Sequence, residues 1–201
     1  QIVTDPRHPL TNRALQGQYP PGSTFKIVVA SAALESDKWS SDTKVRCTGA
    51  FQSGNHTFRD WKKGGHGVMD MDQAIVNSCD VYFYNIGHRL GIDAIAETAR
   101  WFGLGQPTGI DLPSERIGPV PSTEWKQRVR KEPWYAGETI SVAIGQGYVT
   151  VTPLQMAVAT AAAANGGTLY KPRLVRAVRE RATSRLREIP PQDRGTVPLQ
   201  D

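Results

Sequence analysis

No run of eighteen consecutive apolar residues occurs in this chain, so no membrane-spanning helix is visible in it. The longest small-apolar stretch, Met156 to Ala164, is far too short. No secretory leader is recognisable in these residues; the chain opens on Gln1-Ile2-Val3-Thr4 and is expected to be part of a longer protein. No basic motif interleaved with aromatics is present, which speaks against nucleic-acid binding. Cysteine is scarce, only Cys47 and Cys79, and no internal repeat appears.

What remains is ordinary for a globular domain: 39% hydrophobic and 21% charged residues across 201, enough for one sizeable core. The net charge of +5 is local in origin. It gathers at Lys126, Arg128, Arg130 and Lys131, then at Arg173, Arg176, Arg179, Arg181, Arg185 and Arg187. Such a patch can face phospholipid or an anionic polymer. The plainer reading is solvated surface on irregular segments.

Glycine, proline and hydrophobic periodicity divide the chain. Residues 1–22 read as loop, with prolines at 6, 9, 20 and 21. A helix is expected from Ser23 to Ser36, then an irregular polar excursion over 37–70, long enough to need a staple or a function. Further helices are expected over Met71–Val76, Val81–Leu90 and Ile92–Phe102, the last two closed by Gly91 and Gly103. Residues 105–135 read as Pro- and Gly-rich loop, and Ile140–Ile144 as a short strand before Gly145-Gln146-Gly147. Thr152-Pro153-Leu154-Gln155 carries three agreeing helix-start signals, and Asn165-Gly166-Gly167 is the matching stop. Leu169–Val178 reads as a strand; 183–201 has no clear period. Long helices with few, separated strands indicate a mixed α/β domain.

The chemistry begins at Tyr19-Pro20-Pro21-Gly22-Ser23-Thr24-Phe25-Lys26. Pro-Pro-Gly cannot continue a helix, so regular structure starts at or after Gly22. Ser23 then sits at a helix start with Lys26 one turn later on the same face. A serine needs a base to become a nucleophile, and an amine serves as that base only in a setting that favours its neutral form. The alternative has Ser23 as a plain N-cap and Lys26 as a surface lysine. A second polar knot, Ser78-Cys79-Asp80, interrupts two apolar helical stretches. In a tight turn Ser78 and Asp80 can face one cleft while Cys79 faces away, the hydroxyl relaying protons and the carboxylate holding a lysine or a substrate amide. By itself this knot is equally a capped helix break.

Together the two knots resemble the active site of the penicillin-binding proteins and serine β-lactamases, whose motifs are Ser-x-x-Lys, Ser-x-Asn and Lys-Thr-Gly. The flanking residues are similar to class B penicillin-binding proteins of the elongation type: Asp5-Pro6-Arg7-His8-Pro9-Leu10-Thr11-Asn12-Arg13-Ala14, Arg59-Asp60-Trp61-Lys62 with Gly65-His66-Gly67, and Gly145-Gln146-Gly147 before Thr152-Pro153-Leu154-Gln155-Met156. Asp80 stands where most relatives carry Asn. The resemblance covers nearly the whole chain.

The resemblance implies a D,D-transpeptidase that cross-links peptidoglycan, with an antiparallel sheet flanked by helices. Ser23 would attack the carbonyl between the terminal D-alanines of a stem peptide, Lys26 would take its proton, and Ser78 would return it to the leaving D-alanine. The Ser23 N–H would be one oxyanion donor. β-Lactams would trap Ser23 as an acyl-enzyme. The implied setting is a bacterial inner-membrane protein with a periplasmic body, working in side-wall elongation beside a membrane glycosyltransferase. No Lys-Thr-Gly or Lys-Ser-Gly occurs in these residues. Residues 1–201 are therefore expected to form one partial transpeptidase domain, impaired on its own because half the oxyanion hole and one cleft wall are missing. A β-lactamase or β-lactam sensor of the same fold, and a non-catalytic zinc-stapled binding module, are the competing readings.

Cys47, Asp60, His66 and Cys79 follow one another at steps of 13, 6 and 13 residues. Sulfur, carboxylate and imidazole make a tetrahedral zinc set, and all four lie in or beside the 37–80 region that needs a staple. Some members of the resembled subfamily carry a metal cluster at this place. A Cys47–Cys79 disulfide and two free thiols are the alternatives. Four protein ligands leave no open position, so zinc here would be structural. His8, His56 and His88 are expected to be surface or loop residues.

Overall fold

The computed structural model describes residues 4–199. A one-turn helix α1 (Arg13–Gln16) precedes Pro20-Pro21, and the chain then enters a 3₁₀ turn, Gly22–Phe25, that runs into α2 (Lys26–Leu34). Ser23 thus lies inside a 3₁₀ turn rather than at the start of one long α-helix. The expected pairing survives, because side chains three apart eclipse one another in a 3₁₀ helix. Lys26, Val28, Val29, Ala30, Ala32 and Ala33 of α2 are buried, which makes it a core helix.

Residues 37–70 are more ordered than expected. β1 (Val45–Cys47) pairs antiparallel with β4 (Gly67–Met69), and between them β2 (Ala50–Ser53) pairs with β3 (His56–Arg59). Strands of three or four residues are too short to display a period of two. The one legible sign was Gly54-Asn55, a two-residue hairpin turn between Ser53 and His56.

Helix α3 (Met71–Val76) starts at a capping box: Asp70 accepts from the Gln73 N–H at 3.0 Å, and Gln73 accepts from the Asp70 N–H at 3.2 Å. α4 (Asp80–Leu90) buries Val81, Tyr82, Phe83, Tyr84, Ile86 and Leu90, and α5 (Ile92–Trp101) follows across Gly91. α2 packs against both, at the centre of one contiguous core that includes Phe25, Phe83, Phe102 and Ile140.

Three expectations fail in the next stretch. α6 (Thr123–Arg130) lies within the segment read as loop, started by Ser122, whose hydroxyl accepts from the Trp125 N–H. Its last turn carries Arg128 and Arg130. Lys126, counted above with the basic surface residues, is instead only 1% exposed, ion-paired with Glu138 and enclosed by the rings of Trp134, Tyr135 and Tyr148. The segment read as a strand over 140–144 belongs mostly to a helix, α7 (Ala136–Val142). The Ile-Ser-Val-Ala-Ile pattern imitates a buried strand. The Glu138 carboxylate decides the matter by accepting from the Tyr135 N–H at 2.9 Å and closing the first turn.

α8 (Pro153–Ala164) begins and ends as expected, with Thr152 and Gln155 forming its capping box. The predicted strand 169–178 splits around Pro172, which has no N–H to donate. β5 (Thr168–Tyr170) pairs with β8 (Asp193–Thr196), and β6 (Ala177–Arg179) with β7 (Leu186–Glu188). The mixed α/β class holds, but among the described residues the strands form four separate two-stranded antiparallel ladders rather than one sheet.

Candidate active site and metal knot

The buried start of α2 and the turn between α3 and α4 meet at Lys26. The Lys26 Nζ donates to Asp80 Oδ1 at 2.7 Å, to the Ser78 carbonyl at 2.8 Å and to Ser78 Oγ at 3.1 Å. An ammonium has three N–H donors, so each has an acceptor. The Ser78 hydroxyl in turn donates to Ser23 Oγ at 2.9 Å. All four predicted catalytic residues are brought together, with one difference from the expected scheme: Lys26 reaches the nucleophile through Ser78. The dryness is also uneven. Lys26 is 3% exposed, while Ser23 is open to solvent.

Two features hold this arrangement. Ser78 has φ +50°, a left-handed conformation that an L side chain adopts at a cost. Its carbonyl takes a second hydrogen bond, from Trp61 Nε1 at 3.1 Å. The nucleophile turn is braced from behind. Gly22 N–H donates to the Gly145 carbonyl at 2.9 Å, and Tyr19 and Val151 exchange both backbone hydrogen bonds at 2.9 Å. Gly145 has φ +70°, and a Cβ there would fall 2.1 Å from the Gly22 oxygen. Only glycine fits that contact. Trp61 and Gly145 were visible in the sequence as parts of the phrases that carry the family resemblance, but nothing local assigned them a role.

Cys79 points away from Ser78, as expected of the turn's middle residue. Its thiol lies 3.4 Å from Asp60 Oδ2, which also accepts from Cys47 Sγ at 3.5 Å and from the Val81 N–H at 3.1 Å. His66 Nδ1 is 3.5 Å from Cys47 Sγ and 3.6 Å from Asp60 Oδ1. One ligand atom from each of Cys47, Asp60, His66 and Cys79 lies within 4.8 Å of all the others. Zinc bonds of 2.0–2.3 Å give tetrahedral edges of roughly 3.3–3.8 Å, and the four contacts of 3.4–3.6 Å within this group fall in that range. His66 Nε2, the ring's other nitrogen, is buried without a hydrogen-bond partner. No disulfide joins Cys47 and Cys79. Burial pushes the Cys79 thiol well up. Burial acts the same way on Asp60, yet the N–H groups of Lys62 and Val81 and the two thiols outweigh it and hold its carboxyl below the usual range.

Comparison with known proteins decides the family. Residues 1–198 match the penicillin-binding protein transpeptidase domain. The chain belongs to that family. It is 51% identical over 171 residues to the peptidoglycan D,D-transpeptidase MrdA of Acinetobacter baumannii, a match spanning 84% of this chain and 25% of that protein. The Pseudomonas aeruginosa PBP2 structure in complex with WCK 5153 aligns over 99% of this chain and 44% of its own, at 36% identity and a TM-score of 0.86. A chain from a peptidoglycan synthase complex that coordinates polymerization and crosslinking aligns over 100% of this chain and 33% of its own, also at 36% identity and 0.86. The chain therefore spans about a quarter of the curated relative's length. No described helix is long and apolar enough to cross a membrane.

Proposed function

We propose that this chain is the acylating part of a peptidoglycan D,D-transpeptidase of the PBP2 type. The observation that carries the reading is the continuous hydrogen-bonded line from Lys26 through Ser78 to Ser23. For attack the polarity of that line reverses: with one Lys26 proton passed to Asp80 Oδ1, 2.7 Å away, Ser23 donates to Ser78 and Ser78 to the neutral Lys26 amine. Ser23 Oγ bonds to the carbonyl carbon between the two terminal D-alanines of a stem peptide as its proton passes along the line. Collapse of the adduct breaks the peptide bond, and the departing D-alanine amine takes the proton back. The amine of a neighbouring stem then attacks the Ser23 ester, forming the cross-link and freeing the serine. The Ser23 N–H supplies one donor to the oxyanion. Asp80 acts as an anchor, holding the amine from the far side of Ser78.

The names of the relatives support this substrate class, and the likeness to a synthase complex supports a membrane glycosyltransferase as working partner. The setting that follows is the periplasmic face of the bacterial inner membrane. β-Lactams acylate the same serine. The test is labelling of the intact protein by a fluorescent penicillin. Wild type takes up label stably and Ser23→Ala takes up none. Failure of wild type to label overturns the reading, and rapid nitrocefin turnover would reassign the chain to the β-lactamases.

Zinc is the second part of the proposal. Cys47, Asp60, His66 and Cys79 would hold it in a closed site, where it would contribute stability rather than chemistry. Elemental analysis is expected to find about one zinc per chain. A metal-free protein whose melting temperature is indifferent to chelator would end the idea.

A further inference from the structure

Neither acyl transfer nor metal ligation accounts for Trp61. Its side chain lies largely in solvent, at 65% exposure, yet it is held from two directions. The indole N–H donates to the Ser78 carbonyl, the same oxygen that accepts from Lys26 Nζ. The ring meets His66 edge to face, with centroids 5.3 Å apart and planes at 62°. One side chain therefore touches both the catalytic turn and the candidate metal knot. The touched peptide is also the strained one, since Ser78 holds a positive φ. Among the described residues, the donors to that carbonyl are Trp61 and Lys26. A tryptophan kept only for packing would bury its ring and leave its N–H unspecified; here the ring is exposed and the N–H is committed.

We propose that Trp61 is a positioning residue for acylation. Its N–H fixes the Ser78 carbonyl, and its ring ties that carbonyl to His66, so that loading of the Cys47–Asp60–His66–Cys79 knot is felt at Lys26. The inference rests on the transpeptidase and zinc readings, and its test is separable from theirs.

The test uses the intact protein with Trp61→Phe, which keeps a ring against His66 and removes the donor, and Trp61→Ala, which removes both. Single-turnover reaction with a penicillin separates the initial binding constant from the acylation step. Trp61→Phe is expected to slow the acylation step about tenfold, the worth of one hydrogen bond, with binding constant and melting temperature near wild type. The wild-type-minus-Trp61→Phe emission spectrum is expected to change when zinc is stripped, reporting the His66 contact. Acylation of Trp61→Phe at the wild-type rate overturns the donor role. A parallel fall in acylation rate and melting temperature reduces Trp61 to packing and overturns positioning. A difference spectrum indifferent to zinc, in a protein shown to bind zinc, overturns the link to the knot. Wild type that fails to react with penicillin at all is instead a failure of the transpeptidase reading.

Discussion

The Cys79 thiol lies 3.4 Å from the Asp60 carboxylate, and that contact leaves the flanking residues Ser78 and Asp80 facing Lys26. A turn of three residues presents alternate side chains to opposite sides. Whatever holds the middle one sets the aim of the other two. The candidate metal knot and the catalytic turn are therefore one mechanical unit, joined by peptide bonds rather than by a long path.

Chelation should accordingly act on both stability and rate. Stripping zinc is expected to lower the melting temperature and slow penicillin acylation together. Cys47→Ala and Cys79→Ala should each lose the metal, with Cys79→Ala slower to acylate because its residue lies within the turn. Elemental analysis, thermal scans and labelling kinetics check all three.

Ser78→Ala removes the hydroxyl that links Lys26 to Ser23 and leaves the ion pair with Asp80 in place. A lost proton relay costs about 10²- to 10⁴-fold in rate. The expected result is that loss in the acylation step with a melting temperature near wild type, read from labelling time courses and thermal unfolding. A direct Lys26–Ser23 transfer would leave the rate nearly unchanged.

Glycine substitutions separate contact from strain behind the nucleophile. Gly145→Ala drives a Cβ to 2.1 Å from the Gly22 oxygen, so the turn carrying Ser23 must shift and labelling should be largely lost. Gly22 has φ +57° but open space around its Cβ position, so Gly22→Ala bears backbone strain alone, about 1–2 kcal/mol. Denaturant melts of the two variants, beside their labelling rates, are the measurement.

Asp70 supplies a pH signature. The Lys44 ammonium at 2.6 Å, then the Gln73 N–H, hold its carboxyl below the usual range. A carboxyl with a lowered folded value adds stability that is present above its unfolded pKa, about 3.9, and is lost as pH falls through the folded value. Asp70→Asn should therefore be less stable than wild type at neutral pH, with the gap narrowing below about pH 4. Thermal scans from pH 7 to pH 3 check the sign.

Much of this was legible residue by residue. The α8 boundaries were written in Thr152, Pro153, Gln155 and Gly166 because capping is a local exchange of hydrogen bonds. The Ser23–Lys26 spacing was legible for the same reason, even though the turn proved to be 3₁₀. The β1–β4 and β2–β3 ladders and α6 were not. Strands of three or four residues gain their pairing from partners elsewhere in the chain, and α6 is tied to α7 through Lys126 reaching Glu138. The 140–144 segment misled because alternating Ile, Ser, Val and Ala suits a strand and a short buried helix alike.

The sequence by itself determined which groups are present and their near spacing: a hydroxyl and an amine one turn apart, a Ser-Cys-Asp turn, and two thiols, a carboxylate and an imidazole able to ligate a metal. The tertiary structure decided who meets whom. It routed Lys26 to a serine 52 positions away, closed four donors within 4.8 Å, and set Gly145 against Gly22. Those meetings depend on packing α2 against α4 and α5, a contact energy summed over the whole core, which no window of neighbouring residues contains.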